Sequence, residues 1–106
     1  MADRDPRMSG PTLKVLKLYL MSPAAERSGA EISKAAGIGA GTLYPLLARL
    51  EEAGWLRSEW EQIDPSEAGR PRRRFYSLTG LGQTRARAAF SELQLDLPKG
   101  DLAWNV

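Results

Sequence analysis

The chain has 106 residues and a net charge of +2, and it contains no cysteine and no histidine. This length fits one compact domain, and hydrophobic residues, 42% of the total, are enough for a small core. Without cysteine there is no disulfide or thiolate metal site, and without histidine the commonest general base and transition-metal ligand are missing. We therefore expect a protein that is not an enzyme and that binds no cofactor or metal.

Residues 1–9 are polar and show no periodicity, which predicts a flexible amino-terminal arm. The segment MADRDPRMSG has no apolar run typical of a signal peptide, and no apolar run in the sequence is long enough to cross a membrane. A cytoplasmic protein without membrane contact is expected.

A first helix is predicted for residues 11–21. Ser9 and Gly10 followed by Pro11 form a typical helix start, because proline is well tolerated at the first helical position. Leucines then recur at helical spacing, and Pro23 ends the pattern.

A short second helix follows and ends at a tight turn. Ser28 or Gly29 caps its start, and Gly37 supplies a left-handed stop at little steric cost. Its inward positions are Ile32, Ala35 and Ala36. Ile38 is expected to fill the angle between this helix and the next.

The sequence GTLYPLLARLEEAGWL, residues 41–56, predicts a third helix with one apolar face. That face carries Leu43, Leu46, Leu47 and Leu50. Proline is tolerated where its missing N–H would have no partner, so Pro45 predicts a helix start close to Gly39–Thr42. The helix is expected to end at Gly54.

A β-hairpin and a last helix complete the pattern. Residues 55–61 and 73–78 predict two strands, which are joined by a loop rich in proline and glycine signals. Thr79 caps a fourth helix that ends near Leu95. The apolar positions of this helix are Leu81, Phe90 and Leu93.

The order helix, helix, helix, strand, strand, helix predicts a mainly α fold with a β-hairpin (α+β). This is the plan of a winged helix-turn-helix. After the arm, the expected divisions are a winged helix-turn-helix domain at 10–79, a carboxy-terminal helix at 80–95 and a tail at 96–106.

In a helix-turn-helix the helix after the turn enters the DNA major groove. The face opposite the leucines favours close approach, since it carries mostly small residues: Gly41, Pro45, Ala48 and Glu52. Thr42, Tyr44 and Arg49 flank that face and are candidate contacts to phosphates or bases. The alternative is that Tyr44 packs and Arg49 pairs with nearby acids. Ser33 and Lys34 are further candidates, on a helix whose first amides are suited to phosphate.

Charge is unevenly placed along the hairpin. Residues 51–67 carry six acids and one base, whereas residues 70–87 carry six arginines and no acid. The basic end is a candidate site for a polyanion, and a solvated basic face is the alternative interpretation.

Four arginines crowd the tip of the hairpin in the sequence GRPRRRFY. They are Arg70, Arg72, Arg73 and Arg74. Arginine suits phosphates and a narrow minor groove, so all four are candidate DNA contacts, with Arg70 and Arg72 favoured. For Arg73 and Arg74 the competing expectation is pairing across the hairpin with Glu59 and Glu61.

Enzyme motifs are missing from the sequence. There is no Walker-type phosphate loop, and GIGAG at 37–41 follows a helix rather than a strand, so it is not a dinucleotide fingerprint. The carboxylates around the first strand are local and are expected to be solvated.

Two segments together resemble a known family. TLYPLLARLEEAGWL, followed by SEWEQ and then by RPRRRFYSLTGLG, is similar to the PadR family of bacterial winged-helix transcriptional regulators. Matching positions in the third helix are Thr42, Leu43, Tyr44, Pro45, Leu46, Leu47, Arg49, Leu50, Glu51 and Gly54. Matching positions around the second strand are Arg73, Arg74, Tyr76, Leu78, Thr79 and Gly82. The resemblance covers about residues 10–90.

The resemblance implies a cytoplasmic repressor that binds an inverted-repeat operator in double-stranded DNA as a homodimer. It also implies release by a small effector, which we expect to be aromatic. Family members dimerise through the helices after the wing, and here only residues 80–95, with Trp104 in the tail, are available. The alternative is a winged-helix module that binds another protein and not DNA.

Overall fold

The computed structural model describes residues 5–97. Within them the chain forms five helices and three strands. In chain order these are α1 (Gly10–Met21), β1 (Glu26–Ser28), α2 (Gly29–Ala36), α3 (Ala40–Glu52), β2 (Leu56–Trp60), α4 (Pro65–Ala68), β3 (Arg74–Leu78) and α5 (Gly80–Glu92). The predicted winged helix-turn-helix is confirmed, with β1 and α4 added to the expected order.

The three strands form one antiparallel sheet in the order β1-β3-β2. The predicted hairpin pairs Leu56 with Leu78 at its base and Trp60 with Arg74 near its tip. β1 covers the other edge of β3, with Arg27 opposite Tyr76. Pairing on both edges satisfies the backbone groups of β3, the central strand of the sheet.

The helix starts follow the predicted caps. The Ser28 hydroxyl accepts from the backbone N–H of Glu31 at 3.1 Å, and the Glu31 carboxylate accepts from the N–H of Ser28 at 2.7 Å. This reciprocal capping box decides between the two candidate caps of α2 in favour of Ser28. Thr79 caps α5 as predicted, by accepting from the N–H of Gly82 at 2.9 Å.

The turn between α2 and α3 is held by one residue of α2. Gly37 has a left-handed backbone, with φ of 68°, as the sequence predicts. The N–H groups of Gly37 and Ile38 both donate to the carbonyl oxygen of Ser33, at 2.9 and 3.1 Å. Ile38 is 7% exposed and fills the angle between the two helices. The two helices are thereby fixed relative to each other.

The helix α3 begins within the predicted range, although Pro45 lies beyond its first turn, where its N–H would have had a partner. Gly39 is its N-cap, and Pro45 is the sixth helical residue. The missing N–H of proline leaves the carbonyl of Gly41 without its usual helical partner. Gly41 and Pro45 are both exposed, so this interruption lies on the side of α3 away from the buried leucines.

The core lies between α1, α2, α3 and the sheet. All four predicted leucines of α3 are buried, together with Leu16, Tyr19 and Ile32. Three positions predicted to lie in the core are exposed instead. They are Ala35, Leu81, which is 45% exposed, and Leu93, which is 48% exposed. The inward face of α5 instead carries Gly82, Gln83, Ala86, Ala89 and Phe90.

The ends of the chain extend beyond the described residues. Met8, in the predicted arm, packs against the core, and Asp5 lies 3.4 Å from the Arg85 guanidinium of α5. Trp104 and most of the predicted tail lie outside the described residues.

Candidate nucleic-acid interface

One groove collects residues from α2, α3 and the hairpin, and we call it the wing groove. It has a volume of about 450 Å³. Its lining residues are Ser28, Gly29 and Ala30 at the start of α2, Tyr44 of α3, and Trp60, Arg72, Arg73, Arg74 and Tyr76 of the hairpin. Three segments that are distant in sequence therefore present aromatic and basic side chains to one surface.

The outer face of α3 is open, as the sequence predicts. The four positions opposite the leucines, Gly41, Pro45, Ala48 and Glu52, are all exposed, and all but Glu52 are small. Thr42 and Arg49, on either side, are exposed as well. A smooth helix face flanked by hydrogen-bond donors is the arrangement that a major groove accepts.

Tyr44 combines the two interpretations given for it. Its side chain is 46% exposed, and the covered part of its ring lies against the backbone of Gly29. The tyrosine therefore packs on one side and lines the wing groove on the other.

The two candidates on α2 differ in their surroundings. Lys34 is exposed. Ser33 is half-buried, and its hydroxyl donates to the carbonyl oxygen of Ile38 at 2.5 Å. That hydroxyl proton is committed to the turn between α2 and α3, so the sequence-based assignment of Ser33 as a DNA contact does not fit its geometry. The sequence carried no signal of this, because the bond depends on how the turn folds.

Arg70, which the sequence favours as a DNA contact, forms an ion pair with Glu61 inside the wing, and we call this pair the Glu61 clamp. Its guanidinium donates to both carboxylate oxygens of Glu61, at 2.8 and 2.9 Å. Glu61 also accepts from the N–H of Arg73 at 3.1 Å and donates its own N–H to the carbonyl of Arg73 at 2.8 Å. The hydrogen bonds from Arg70 lower the pKa of Glu61 to about 2, and the same bonds raise the pKa of Arg70.

The helix α4 explains how Arg70 reaches Glu61. The carboxylate of Asp64 caps α4 by accepting from the N–H of Ser66 at 2.9 Å. Gly69 ends the helix with a left-handed φ of 70°. This single turn folds the loop back on itself and brings Arg70 beside β2.

Arg74 is held on the side of the sheet that faces α3. Its Nε donates to the Ser58 hydroxyl at 2.7 Å, and the same hydroxyl donates to Glu51 at 2.6 Å. Its guanidinium also lies 3.5 Å from Glu51 and 5.0 Å from the ring centroid of Trp60. The expected pairing with Glu59 or Glu61 is wrong, since Arg74 pairs with an acid of α3.

Arg72 and Arg73 are the exposed arginines of the wing groove. Arg72 donates from Nε to the carbonyl of Ile63 at 2.9 Å, which leaves the outer edge of its guanidinium open. Among residues 5–97, no carboxylate forms an ion pair with Arg73. The candidate DNA contacts on the wing are therefore Arg72 and Arg73 rather than Arg70 and Arg72.

A buried aromatic cluster supports the floor of the groove. The Tyr19 hydroxyl donates to the backbone carbonyl of Tyr76 at 2.7 Å, which ties α1 to β3. The Arg27 guanidinium lies 4.7 Å from the centroid of the Tyr19 ring. Burial raises the pKa of both tyrosines, so both stay neutral at ordinary pH. Arg27 was not among the sequence-based candidates, because β1 itself was not predicted.

Residues 5–97 contain no cluster of three or more potential metal ligands. None of the helices described is both long and apolar enough to span a bilayer.

Comparison with protein families decides the assignment. The model of the transcriptional regulator PadR-like family matches residues 18–88, which is more than half of the chain. The chain belongs to the PadR-like family of transcriptional regulators. This places it among regulators of transcription and not among enzymes. No curated protein is similar enough in sequence to match it.

Solved structures of a PadR family regulator and of another transcriptional regulator share the fold. A PadR family regulator from Eggerthella lenta is 28% identical, with a TM-score of 0.63 over 80% of this chain and 73% of the other. A transcriptional regulator from Clostridium thermocellum is 25% identical, with a TM-score of 0.63 over 80% of this chain and 82% of the other. In each of these two comparisons the shared fold covers most of both chains.

A second group of similar structures consists of larger chains. Reduced AbfR bound to DNA is 24% identical and has a TM-score of 0.64 over 82% of this chain. AbfR is a protein of Staphylococcus epidermidis. This PadR-like chain spans only 51% to 58% of the length of the AbfR chains. At this identity the likeness shows the shared fold.

Proposed function

We propose that this PadR-like regulator is a sequence-specific DNA-binding repressor. The observation that carries the proposal is the convergence of the open face of α3, the start of α2 and the wing arginines around one groove. A regulator of the same fold, AbfR, has a structure bound to DNA. In this proposal α3 enters the major groove and the wing reaches the adjacent backbone or minor groove.

The DNA contacts follow from the exposure of each candidate. Thr42, Tyr44 and Arg49 act from α3, and Lys34 acts from α2. Arg72 and Arg73 contact phosphates or the minor groove from the wing. Arg70 and Arg74 shape the wing through Glu61 and Glu51, and Ser33 shapes the turn. Their DNA role is then indirect.

We further propose that the repressor binds as a homodimer to an inverted repeat in the DNA. Two copies of α3 would enter successive major grooves, with half-sites about 10 base pairs apart. The proposed divisions are the DNA-binding domain at 10–79 and a dimerisation helix at 80–95. A small aromatic effector that changes the angle between the protomers would release the DNA. The protein would act in the cytoplasm, where the DNA of a bacterium lies.

The proposal is tested by fluorescence anisotropy with two labelled duplexes. One is the DNA upstream of the protein's own gene, and the other is a scrambled duplex of the same composition. Tight binding to the upstream DNA alone, falling steeply with salt, is expected of a specific repressor, because each neutralised phosphate adds roughly 0.9 to the salt slope.

Two other outcomes redirect the proposal. Equal and weak binding to both duplexes would contradict specificity for this operator and would send the search to other promoters. The absence of binding to either duplex at low salt would favour the alternative, a winged-helix module that binds another protein.

A further inference from the structure

Gly29 is in direct contact with a residue of the reading helix. It is buried at the first position of α2. A Cβ placed on Gly29 would lie 2.6 Å from Cε1 and 2.7 Å from Cζ of Tyr44, and closer still to its hydroxyl. Real Cβ atoms essentially never approach other heavy atoms within 3.0 Å. The Tyr44 ring therefore occupies the volume that any side chain at position 29 would need.

This contact sets the position of a side chain that is otherwise free to move. Tyr44 is 46% exposed, and it lines the wing groove together with Arg73. An exposed tyrosine on a helix has more than one rotamer open to it. The contact with Gly29 restricts that freedom and holds the outer end of the ring, with its hydroxyl, beside the start of α2, where both residues line the groove.

We infer that Gly29 is a positioning residue for DNA binding, acting through Tyr44. The inference rests on the proposed function, in which the wing groove faces DNA. With its ring held against α2, the Tyr44 hydroxyl donates to a phosphate oxygen on the side of the groove opposite the wing arginines. Gly29 itself touches no DNA in this arrangement.

The test is a double-mutant cycle with Gly29→Ala and Tyr44→Ala, read by DNA affinity. Each single variant is expected to raise the Kd for the operator roughly tenfold, as expected for the loss of a hydrogen bond to a charged group. In the Tyr44→Ala background, Gly29→Ala is expected to have no further effect, because the obstructing ring is gone.

Gly10→Ala is the matched control. Gly10 is also the first residue of a helix after a serine cap, and open space surrounds the position of its Cβ. This variant is expected to bind DNA like the wild type. A tenfold loss at Gly10 as well would point to an effect of glycine at helix starts and would overturn the inference.

Other outcomes are equally decisive. Wild-type affinity in Gly29→Ala, or losses that multiply in the double variant, would overturn the coupling between Gly29 and Tyr44. If Gly29→Ala does not fold, a folded double variant supports the steric conflict, and an unfolded one refutes it.

The experiments distinguish a failure of the proposed DNA-binding function from a failure of the coupling between Gly29 and Tyr44. If the wild type binds no duplex, the DNA role falls for both residues. The packing is still measured by the Tm values of the same four proteins. In these Tm measurements, Gly29→Ala should lower the Tm only when Tyr44 is present.

Discussion

At the scale of single residues, the wing shows why arginines of similar sequence context have different roles. Arg70 and Arg74 pair with carboxylates, whereas Arg72 and Arg73 are the exposed arginines of the wing groove. The sequence indicated a basic hairpin and favoured Arg70 and Arg72 for DNA contact, but it did not predict the pairing of Arg70 with Glu61. Sorting the four depended on α4, which turns the loop so that Arg70 meets Glu61, and no pattern in the loop specified that contact.

Replacing Arg73 with alanine is expected to weaken binding to every duplex and to reduce the salt slope by about one. The reason is that the Arg73 side chain forms no ion pair among residues 5–97, so its charge is available to a phosphate. Anisotropy titrations at several salt concentrations measure both quantities. Arg57→Ala is the control, because Arg57 is exposed in β2 and lines a different cavity. An unchanged slope in Arg73→Ala would exclude a phosphate contact.

The Glu61 clamp predicts a dependence of stability on pH. Folding lowers the pKa of Glu61 from 4.5 to about 2, so its contribution is present above pH 4.5 and is lost as the pH falls toward 2. Glu61→Gln should lack this part of the acid dependence and be less stable than the wild type near neutral pH. Urea unfolding between about pH 6 and pH 2.5 measures the difference.

Glu59→Gln is the control for this experiment, since Glu59 is exposed on the same strand. Its stability profile should follow the wild type. If Glu61→Gln and the wild type lose stability in parallel between pH 4.5 and pH 2, the clamp does not operate in solution.

At the scale of elements, the sequence predicted what local signals determine. Five local features could be predicted, because each depends on residues within one or two turns. They are the caps at Ser9, Ser28 and Thr79, the left-handed Gly37 and the apolar face of α3. β1 was not readable. Its three residues, ERS, carry no alternation of apolar and polar residues, and they become a strand only because β3 offers a free edge.

The start of α5 packs against the backbone of Trp55, just before β2, and this contact predicts a strict requirement for glycine at position 82. A Cβ there would overlap the backbone carbonyl of Trp55, which cannot move aside as a flexible side chain would. Gly82→Ala should therefore lower the free energy of unfolding by about 2 kcal/mol, as overpacking usually does. Urea unfolding measures this. Gly41→Ala, with open space around its Cβ, should not destabilise the protein, and equal losses at both positions would contradict the steric explanation.

At the scale of the whole molecule, the fold class was predictable from the order of its elements, and the outer face of α5 was not. Helical periodicity assigned Leu81 and Leu93 to the core. In the structure the inward face of α5 is built from small residues and Phe90, because α5 packs closely on α1 and on the Trp55 backbone. The displaced leucines are left on the surface, together with Leu95 and Leu97. Scattered leucines are ordinary on a surface, but four exposed leucines between residues 81 and 97 make this part of the chain the candidate for an interface.

A dimer built on this segment gives the last prediction. Leu81→Glu places a charge at a site that is 45% exposed in the monomer and would be buried between two copies. The monomer fold should tolerate it, whereas the dimer should dissociate, because an unpaired buried charge is costly. Sedimentation should then show a monomer, and operator affinity should fall steeply, since one half-site contributes only part of the binding free energy. Ser91→Glu, at another exposed position of α5, should remain dimeric. A dimeric Leu81→Glu protein would move the interface away from the start of α5.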